Sequence, residues 1–252
     1  MPRSLHGGRH ELGQNFLTHT PSIDLILALV DATRGPILEL GAGDGALTRP
    51  LATRRRPLTA IDIDEHRVRR LRRALPHADV LQADALHHPL RAPTVVGNIP
   101  FHLTTPILRR LLAEPGWERA ILLTQWEVAR KRAGVGGGTM MTAQHAPWFE
   151  FALHGRVPRW GFRPAPGVDG GILSITRREH PLLPGAERRA YEGFVRAVFS
   201  GRGATLERIV AGAGKAPPSV ARDAVARADA RGALARDLDA EQWAALWRTL
   251  RG

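Results

Sequence analysis

The sequence of 252 residues contains no cysteine, only three methionines and a single tyrosine. The absence of cysteine excludes disulfide bonds, cysteine-ligated zinc and iron–sulfur clusters, and any thiol nucleophile. Enzymes that modify pyrimidine bases through a covalent cysteine adduct are excluded for the same reason. We expect no bound metal.

Long hydrophobic runs are also missing. No apolar stretch approaches the roughly 18 residues that a membrane-spanning helix needs. Residues 1–13 lack the apolar segment of a secretion signal. We therefore expect a cytoplasmic protein that makes no membrane contact, and a monomer, because no sustained heptad pattern is present.

Positive charge is in strong excess, since 36 Lys and Arg against 24 Asp and Glu give a formal net charge of +12. Only Lys131 and Lys215 are lysines, so guanidinium groups carry nearly all of it, and these suit phosphate contacts and stacking on bases. A GC-rich genome explains the preference for Arg over Lys but not the net excess. The composition indicates a polyanionic partner, with nucleic acid as the first candidate.

Short apolar runs alternate with helical patterns after a helix that begins near Thr20 and Pro21. Such alternation predicts an α/β fold with a Rossmann-like parallel sheet and helices on both faces. Two later runs lie close together and predict an antiparallel end of the same sheet. The five parallel runs are 37–40, 58–61, 78–81, 94–96 and 120–123, and the two later ones are 148–153 and 171–176.

The sequence changes character after Thr176, where residues 177–185 have the composition of a linker. Four helical patterns follow without a strand, and Asp239 with Gln242 forms a capping-box pattern at the start of the last. We predict a catalytic domain over residues 1–178 and a small all-helical domain over 185–252 that either binds RNA or only packs. The helical patterns cover residues 187–200, 204–210, 218–228 and 239–250.

The most specific motif is Glu39-Leu40-Gly41-Ala42-Gly43-Asp44-Gly45, at the end of the first strand of the predicted sheet. Glycines there let the backbone turn tightly and approach a ligand at the carboxyl edge of the sheet. The Gly-x-Gly-x-Gly spacing and the acid before it favour S-adenosylmethionine over a nicotinamide dinucleotide. The alternative is an ordinary glycine-rich turn.

Carboxylates follow the next two strands. Asp62 lies 21 residues after Gly41, near the spacing of about 20 expected for a carboxylate that accepts ribose hydroxyls. Asp64 and Glu65 compete for that role, and the alternative for Asp62 or Asp64 is a solvated charge or the N-cap of the following helix. Asp84 ends the third strand and could accept the adenine amino group of the cofactor or cap a helix.

The reaction is indicated by Gly97-Asn98-Ile99-Pro100-Phe101, at the end of the fourth strand. The exocyclic amine of adenine is a poor nucleophile because its lone pair is delocalised into the ring. The Asn98 side-chain carbonyl and a backbone carbonyl of this turn could accept both amine hydrogens, and Phe101 could stack on an extruded base. The alternative is a strand-ending turn with Phe101 in the core.

With these motifs the sequence resembles the rRNA adenine N-6-methyltransferases, and within them the Erm enzymes of macrolide resistance. The resemblance extends from Leu12 to about Ile175, and more weakly into the helical tail. Three further motifs carry it: Gly13-Gln14-Asn15-Phe16-Leu17, Gln125-Trp126-Glu127-Val128-Ala129-Arg130 and Phe162-Arg163-Pro164-Ala165-Pro166-Gly167-Val168-Asp169.

The resemblance implies an enzyme that transfers methyl from S-adenosylmethionine to an adenine amine in 23S rRNA, at the macrolide-binding loop. Resistance to macrolides, lincosamides and streptogramin B would follow. It also implies that Asn98 and Phe101 receive the target base, and it favours Asp62 over Asp64. The cofactor pocket is implied to contain Asn15, Leu17, Gly41, Asp62, Asp84 and Asn98.

The sequence departs from the family pattern at three positions. The family often has Tyr at the position of Phe101, Ser at that of Gly170 and Glu at that of Asp62. Stacking survives without the phenol, and one carboxylate replaces another. The Gly170 difference leaves open how the loop after Pro166 contacts substrate.

Arginine clusters are candidates for RNA phosphate contacts, although a solvated helix face is the alternative for any single one. The clusters are Arg67, Arg69, Arg70, Arg72 and Arg73, then Arg109 and Arg110, then Arg130, Lys131 and Arg132.

Three rival functions share some of these features. A 16S rRNA dimethyladenosine transferase would have the same cofactor motifs, although the segment from Gln125 to Glu150 looks Erm-like. A DNA adenine methyltransferase would need a base-reading domain that is not visible. A catalytically idle RNA-binding protein would not need the intact Asn98–Phe101 turn.

Overall fold

The computed structural model describes residues 15–251, so Gly13 and Gln14 of the N-terminal motif lie outside the described residues. In chain order its strands are β1 (Phe16–Leu17), β2 (Ile37–Leu40), β3 (Leu58–Asp62), β4 (Asp79–Gln82), β5 (Thr94–Asn98), β6 (Arg119–Gln125), β7 (Phe149–Val157), β8 (Phe162–Arg163) and β9 (Gly170–Arg177).

Ten α-helices lie within the described residues. They are α1 (Thr20–Asp31), α2 (Thr48–Ala52), α3 (Glu65–Ala74), α4 (Thr104–Ala113), α5 (Trp126–Arg132), α6 (Met140–His145), α7 (Arg188–Ser200), α8 (Leu206–Gly214), α9 (Pro218–Arg227) and α10 (Ala240–Arg251). None of these helices is long and apolar enough to cross a membrane.

Seven strands form one sheet in the order β4-β3-β2-β5-β6-β9-β7. The pairs β2–β3, β2–β5, β3–β4 and β5–β6 are parallel, which confirms the predicted α/β fold. Near the other edge, His154 Nε2 lies 2.8 Å from Ser174 Oγ, and Arg178 N donates to Trp148 O at 2.9 Å. Residue numbers thus rise along β7 as they fall along β9, as antiparallel neighbours require.

The strand order creates a crevice at the centre of the sheet. After β2 the chain builds outward through β3 and β4, then returns to place β5 on the other side of β2. The loops after β2 and β5 therefore leave in opposite directions, which is the topological switch point where open α/β sheets bind ligands. Buried apolar residues, including Ile26, Val30 and Leu51, form a core cluster with residues of these central strands.

A separate two-stranded antiparallel sheet pairs β1 with β8, with Phe16 opposite Arg163 and Leu17 opposite Phe162. Strands of two residues carry no hydrophobic period, so this pairing could not be predicted from the sequence. It brings Phe16 and Leu17 against the segment that begins at Phe162.

The chain forms two compact units. One contains the described residues up to Ala129 together with Leu153–Ile175, and the other contains Arg130–Ala152 together with the residues from Thr176 onward. Residues 130–152 thus group with the C-terminal helices, and not within 1–178 as the sequence division has them. The physical reason lies in buried hydrogen bonds, because Tyr191 donates its hydroxyl to Ala143 O at 2.8 Å and Trp148 Nε1 donates to Leu183 O at 2.9 Å.

The C-terminal helices follow the predicted pattern, with ends that shift by at most four residues. The capping box at the last helix is confirmed, since Gln242 N donates to Asp239 Oδ1 at 2.7 Å and Asp239 N donates to Gln242 Oε1 at 3.0 Å. Trp243, Leu246 and Trp247 form its buried face.

We expect Gly97→Ala to destabilise the protein by roughly 1 to 3 kcal/mol, the usual cost of overpacking. A Cβ atom at Gly97 would lie 2.5 Å from Leu40 O, where β5 passes β2, and a backbone atom cannot move aside. Gly193→Ala is the matched control, because its Cβ meets open space on the exposed face of α7. Urea unfolding measures both, and a Gly97→Ala protein as stable as wild type would contradict this reading of the strand contact.

Candidate active site

A cavity of about 370 Å³ opens where β2 and β5 end. A second cavity of about 210 Å³ adjoins it, and both are lined by Gly41, Asp62, Ile99 and Pro100. Five of the six predicted cofactor residues line the larger cavity, and the sixth, Asp84, lines the second. The structure therefore brings all six to one edge of the sheet, while their roles as ligands stay predictions.

The glycine-rich loop forms the floor of the larger cavity. Gly41, Gly43 and Gly45 have φ angles of +75°, +55° and +86°, a region that other residues adopt only with strain. Gly41 N and Ala42 N both donate to Ile61 O at 2.9 Å, which holds the loop against β3. The conformation therefore requires glycine, and it presents bare backbone to the cavity.

Asp62 is the carboxylate that reaches this loop. It is 4% exposed, its Oδ2 accepts from Gly43 N at 2.7 Å, and its Oδ1 accepts from Asp64 N at 2.9 Å. Burial raises the pKa of Asp62, and these two backbone donors act against that rise. Each carboxylate oxygen keeps a lone pair for a further donor, such as a ribose hydroxyl.

The two alternatives to Asp62 have other contacts. Asp64 is the N-cap of α3, where its Oδ1 accepts from His66 N at 2.9 Å and Arg67 N at 3.3 Å. Glu65 is exposed in the first turn of the same helix, with its Oε1 3.9 Å from Arg69 Nε. Neither lines the cavities, so geometry separates Asp62 from both where spacing did not.

Asp84 precedes a turn and not the helix considered for it, and it lines the second cavity. Its Oδ1 accepts from Leu86 N at 2.8 Å, which fixes a turn, and its Oδ2 lies 2.8 Å from His87 Nδ1. Burial alone would raise the pKa of Asp84, but these hydrogen bonds outweigh it and the pKa lies below its ordinary value. An ionised acceptor therefore stands at the rim of the second cavity.

Glu39 is the acid that precedes the glycine loop, and its burial could not be predicted from the sequence. It is 1% exposed, it lines the larger cavity, and its Oε2 has no hydrogen-bond partner within the part of the chain described. Burial, helped by the negative charge of Asp62, raises the pKa of Glu39 to about 8. The acid before the glycine loop is thus largely protonated at neutral pH, with a polar atom that a ligand could satisfy.

Asn98 lies at the mouth of the larger cavity, with its side-chain orientation fixed by one hydrogen bond. Its Nδ2 donates to Asn15 O at 2.7 Å. A backbone carbonyl can only accept, so the amide nitrogen must face Asn15 and Oδ1 is the acceptor side. This is the orientation needed to accept a hydrogen from an amine.

Phe101, which lines the larger cavity, packs against a second aromatic ring, Phe162. Phe101 is only partly buried and lines the cavity, so it is not a core residue. Phe162 meets it edge to face, with ring centroids 6.3 Å apart at 77°. The sequence motif contained Phe162 without any role for it, because nothing local shows that β8 returns to this edge.

The absence of a side chain at Gly170 leaves room for the Phe162 ring. A Cβ atom at Gly170 would lie 2.9 Å from Phe162 Cζ and 3.0 Å from Leu123 Cδ1. The glycine therefore lets the ring pack closer than a serine would. The departure from the family pattern at Gly170 thus bears on the position of Phe162.

Several of the arginines proposed for phosphate contacts are engaged within the protein, among them Arg67 and Arg110. Arg67 pairs with Asp44 and Asp64, and its guanidinium carbon lies 4.2 Å from the centroid of the Phe16 ring. Arg110 pairs with Glu114 at 2.6 Å and donates to Ala85 O and His88 O, both at 2.6 Å.

An arginine that was not in those clusters, Arg163, lines the larger cavity and is exposed. Within residues 15–251, no three His, Asp or Glu side chains are arranged to hold a metal ion.

The chain is similar to known proteins over most of its length. The sequence matches the ribosomal RNA adenine dimethylase family over residues 5–228. An rRNA adenine N-6-methyltransferase of Corynebacterium diphtheriae is 51% identical over 207 residues, which cover 81% of this chain and 82% of that protein.

Two further proteins extend the likeness over nearly the whole chain. The mycinamicin-resistance protein MyrB of Micromonospora griseorubida is 47% identical over 254 residues, covering 97% of this chain and 80% of its own. The crystal structure of the 23S rRNA methyltransferase ErmE matches with a TM-score of 0.86 at 35% identity, covering 94% of this chain and 100% of that one.

The buried Glu39 carboxyl should make stability depend on pH. Its pKa is near 8 when folded and near 4.5 in the unfolded chain, so the folded state binds the proton more tightly. Its contribution is full below about pH 4.5 and is lost as the pH rises through 8. Glu39→Gln should therefore gain on the order of 2 to 4 kcal/mol relative to wild type between pH 5 and pH 8.

Urea unfolding at the two pH values measures this gain. Glu118→Gln, at an exposed position, is the matched control and should show no such trend. Parallel pH profiles for wild type and Glu39→Gln would show that Glu39 is ionised in the folded protein.

Proposed function

The chain belongs to the ribosomal RNA adenine dimethylase family, and on that premise we propose that it methylates the exocyclic amine of an adenine in 23S rRNA. The target lies at the macrolide-binding loop, and its methylation confers resistance to macrolides, lincosamides and streptogramin B. The names of two relatives, a mycinamicin-resistance protein and the 23S rRNA methyltransferase ErmE, support this choice. The observation that carries the chemistry is the fixed Asn98 amide, whose Oδ1 is the acceptor at the mouth of the cavity.

The residues at the sheet edge fit S-adenosylmethionine as the methyl donor. The unpartnered Glu39 Oε2 offers an acceptor to a cationic amine, and such a cation would favour the ionised form of Glu39. Asp62 has lone pairs for ribose hydroxyls beside the second cavity, where Asp84 offers a further acceptor. When bound, S-adenosylmethionine supplies a methyl group that its sulfonium has already activated.

The protein contributes alignment and a polar cradle to the transfer. Asn98 Oδ1 accepts a hydrogen of the adenine amine and so draws the nitrogen lone pair out of conjugation with the ring. Phe101 presents a partly exposed ring on which the extruded base stacks, and Phe162 supports that ring from the side. No cysteine adduct or metal ion is needed for this chemistry.

The net charge of +12 suits an RNA substrate. We further propose that the protein acts as a monomer in the cytoplasm, where ribosomal RNA is available. A 16S rRNA dimethyladenosine transferase would use the same cofactor site, so the two functions differ in substrate alone.

Methyl transfer from labelled S-adenosylmethionine to purified 23S rRNA, 16S rRNA and duplex DNA tests the proposed function. We expect label in 23S rRNA only. Label in 16S rRNA alone would establish the rival transferase, and label in none of the three would show an idle scaffold.

Asp62→Ala should weaken S-adenosylmethionine binding roughly 10- to 150-fold, because a hydrogen bond to a charged group contributes about 1.5 to 3 kcal/mol. Asp64→Ala is the matched control. It should lose about 1 kcal/mol of stability with the helix cap but keep its affinity for the cofactor. Calorimetry measures the affinities, with circular dichroism to confirm folding, and equal affinities for the two variants would remove Asp62 from the site.

For activity, the aromatic ring at position 101 should matter more than the presence of a hydroxyl group on it. Phe101→Tyr should keep most of the activity, whereas Phe101→Ala should lower kcat/KM for RNA about 5- to 150-fold through lost stacking. Asn98→Ala should be worse, since it removes an acceptor from the reacting amine. If a folded Phe101→Ala enzyme methylates at the wild-type rate, the base does not stack on this ring.

A further inference from the structure

Trp160 is exceptional among the six tryptophans of the chain because it is 69% exposed. Leaving so large an aromatic surface in water forgoes the stabilisation that its burial would give. Trp126 is partly buried, and the other four are at most 6% exposed: Trp117, Trp148, Trp243 and Trp247.

The backbone that carries Trp160 is anchored on both sides. Thr18 N donates to Gly161 O at 2.8 Å, and Gly161 N donates to Pro158 O at 2.8 Å. Asp169 Oδ1 accepts from Arg159 N at 2.8 Å, which ties the start of the turn to the end of the same connection. The indole is therefore displayed by a fixed turn.

His19 supports the ring from one side. Its imidazole meets the indole edge to face, with centroids 4.9 Å apart at 82°. Gly161 makes this approach possible, since a Cβ atom there would lie 2.7 Å from His19 Cβ. His19 is itself held, because its Nδ1 lies 2.7 Å from Ser22 Oγ.

The turn leads directly to the mouth of the larger cavity. Phe162 contacts Phe101, and Arg163, three residues after Trp160, lines the cavity. Three residues span at most about 10 Å. The exposed indole thus belongs to the same surface as the residues proposed to receive the target base.

The surroundings of Trp160 are basic and not apolar. Arg159 and Arg163 are exposed on either side of it, and Thr18 and Thr20 are exposed near its supporting His19. A protein partner would need a contiguous apolar patch, which a single ring among polar neighbours does not provide. A flat ring beside guanidinium groups fits a nucleotide, whose base stacks while its phosphate meets an arginine.

We propose that Trp160 is a stacking platform for an unpaired nucleobase next to the target adenine in the RNA substrate, with Arg159 and Arg163 contacting the adjoining phosphates. The proposal rests on the proposed function, because it requires an RNA strand that enters the cavity at Asn98. Recognition of this base is by its flat face, so it tolerates any of the four bases.

The test is a double-mutant cycle between the protein and the RNA. Binding of synthetic 23S rRNA fragments is measured with the target adenine intact and an abasic site at each of the three positions on either side. Trp160→Ala should weaken binding of the intact fragment about 5- to 150-fold. One abasic position should weaken wild-type binding by a similar factor and leave the binding of Trp160→Ala unchanged.

Two variants serve as controls. Trp160→Phe should restore most of the affinity, because it keeps an aromatic face. Val168→Ala, at an exposed apolar position of the same connection, should bind like wild type. All variants should keep the wild-type melting temperature and the wild-type affinity for S-adenosylmethionine.

Failure of this proposal and failure of the proposed function give different results. If wild type methylates the intact fragment but Trp160→Ala binds it equally well, or no abasic position couples to Trp160, the platform does not exist. If wild type neither binds nor methylates the fragment, the proposed function fails and the platform fails with it.

Discussion

The buried carboxylate of Asp62 links two loops at the carboxyl edge of the sheet. Asp62 accepts from Gly43 N with one oxygen and from Asp64 N with the other, at 2.7 and 2.9 Å. It thereby ties the glycine loop after β2 to the end of β3. Both cavities are lined by Asp62 and Gly41, so their shape depends on this link. Because hydrogen bonds to a charged group are strong, the loop is preorganised before any ligand binds.

Carboxyl groups at the same edge differ in protonation and in hydrogen bonding because their surroundings differ. Glu39 has no donor for its Oε2 among the described residues and is largely neutral, whereas Asp84 has two donors and is charged. Asp64 is used to begin a helix. The Asn15 carbonyl accepts from Asn98 Nδ2, which leaves Asn98 Oδ1 as the acceptor for a ligand. Backbone groups orient Asp64, Asp84 and Asn98, whereas burial sets the protonation state of Glu39. Fixed orientation is what an aligned transfer requires.

Features that depend on local pattern were predictable from the sequence. The parallel strands, the glycine loop and the capping box at Asp239 each follow from spacing within a few residues. Contacts between residues far apart in the sequence could not be predicted. An example is the pairing of β1 with β8, which brings Phe162 to the site. The burial of Glu39 and the internal bonds of Arg67 also require the fold, since charge alone suggests exposure.

We propose that a fixed Asn98 amide directs methyl transfer to one adenine of 23S rRNA. Mass spectrometry of rRNA from cells that express the protein tests this directly. Fragments of 23S and 16S rRNA are compared between cells with wild type and cells with Asn98→Ala. We expect added methyl mass on a single adenine of 23S rRNA with wild type and none with the variant. Methyl mass in 16S rRNA alone, or equal modification by both proteins, would contradict it.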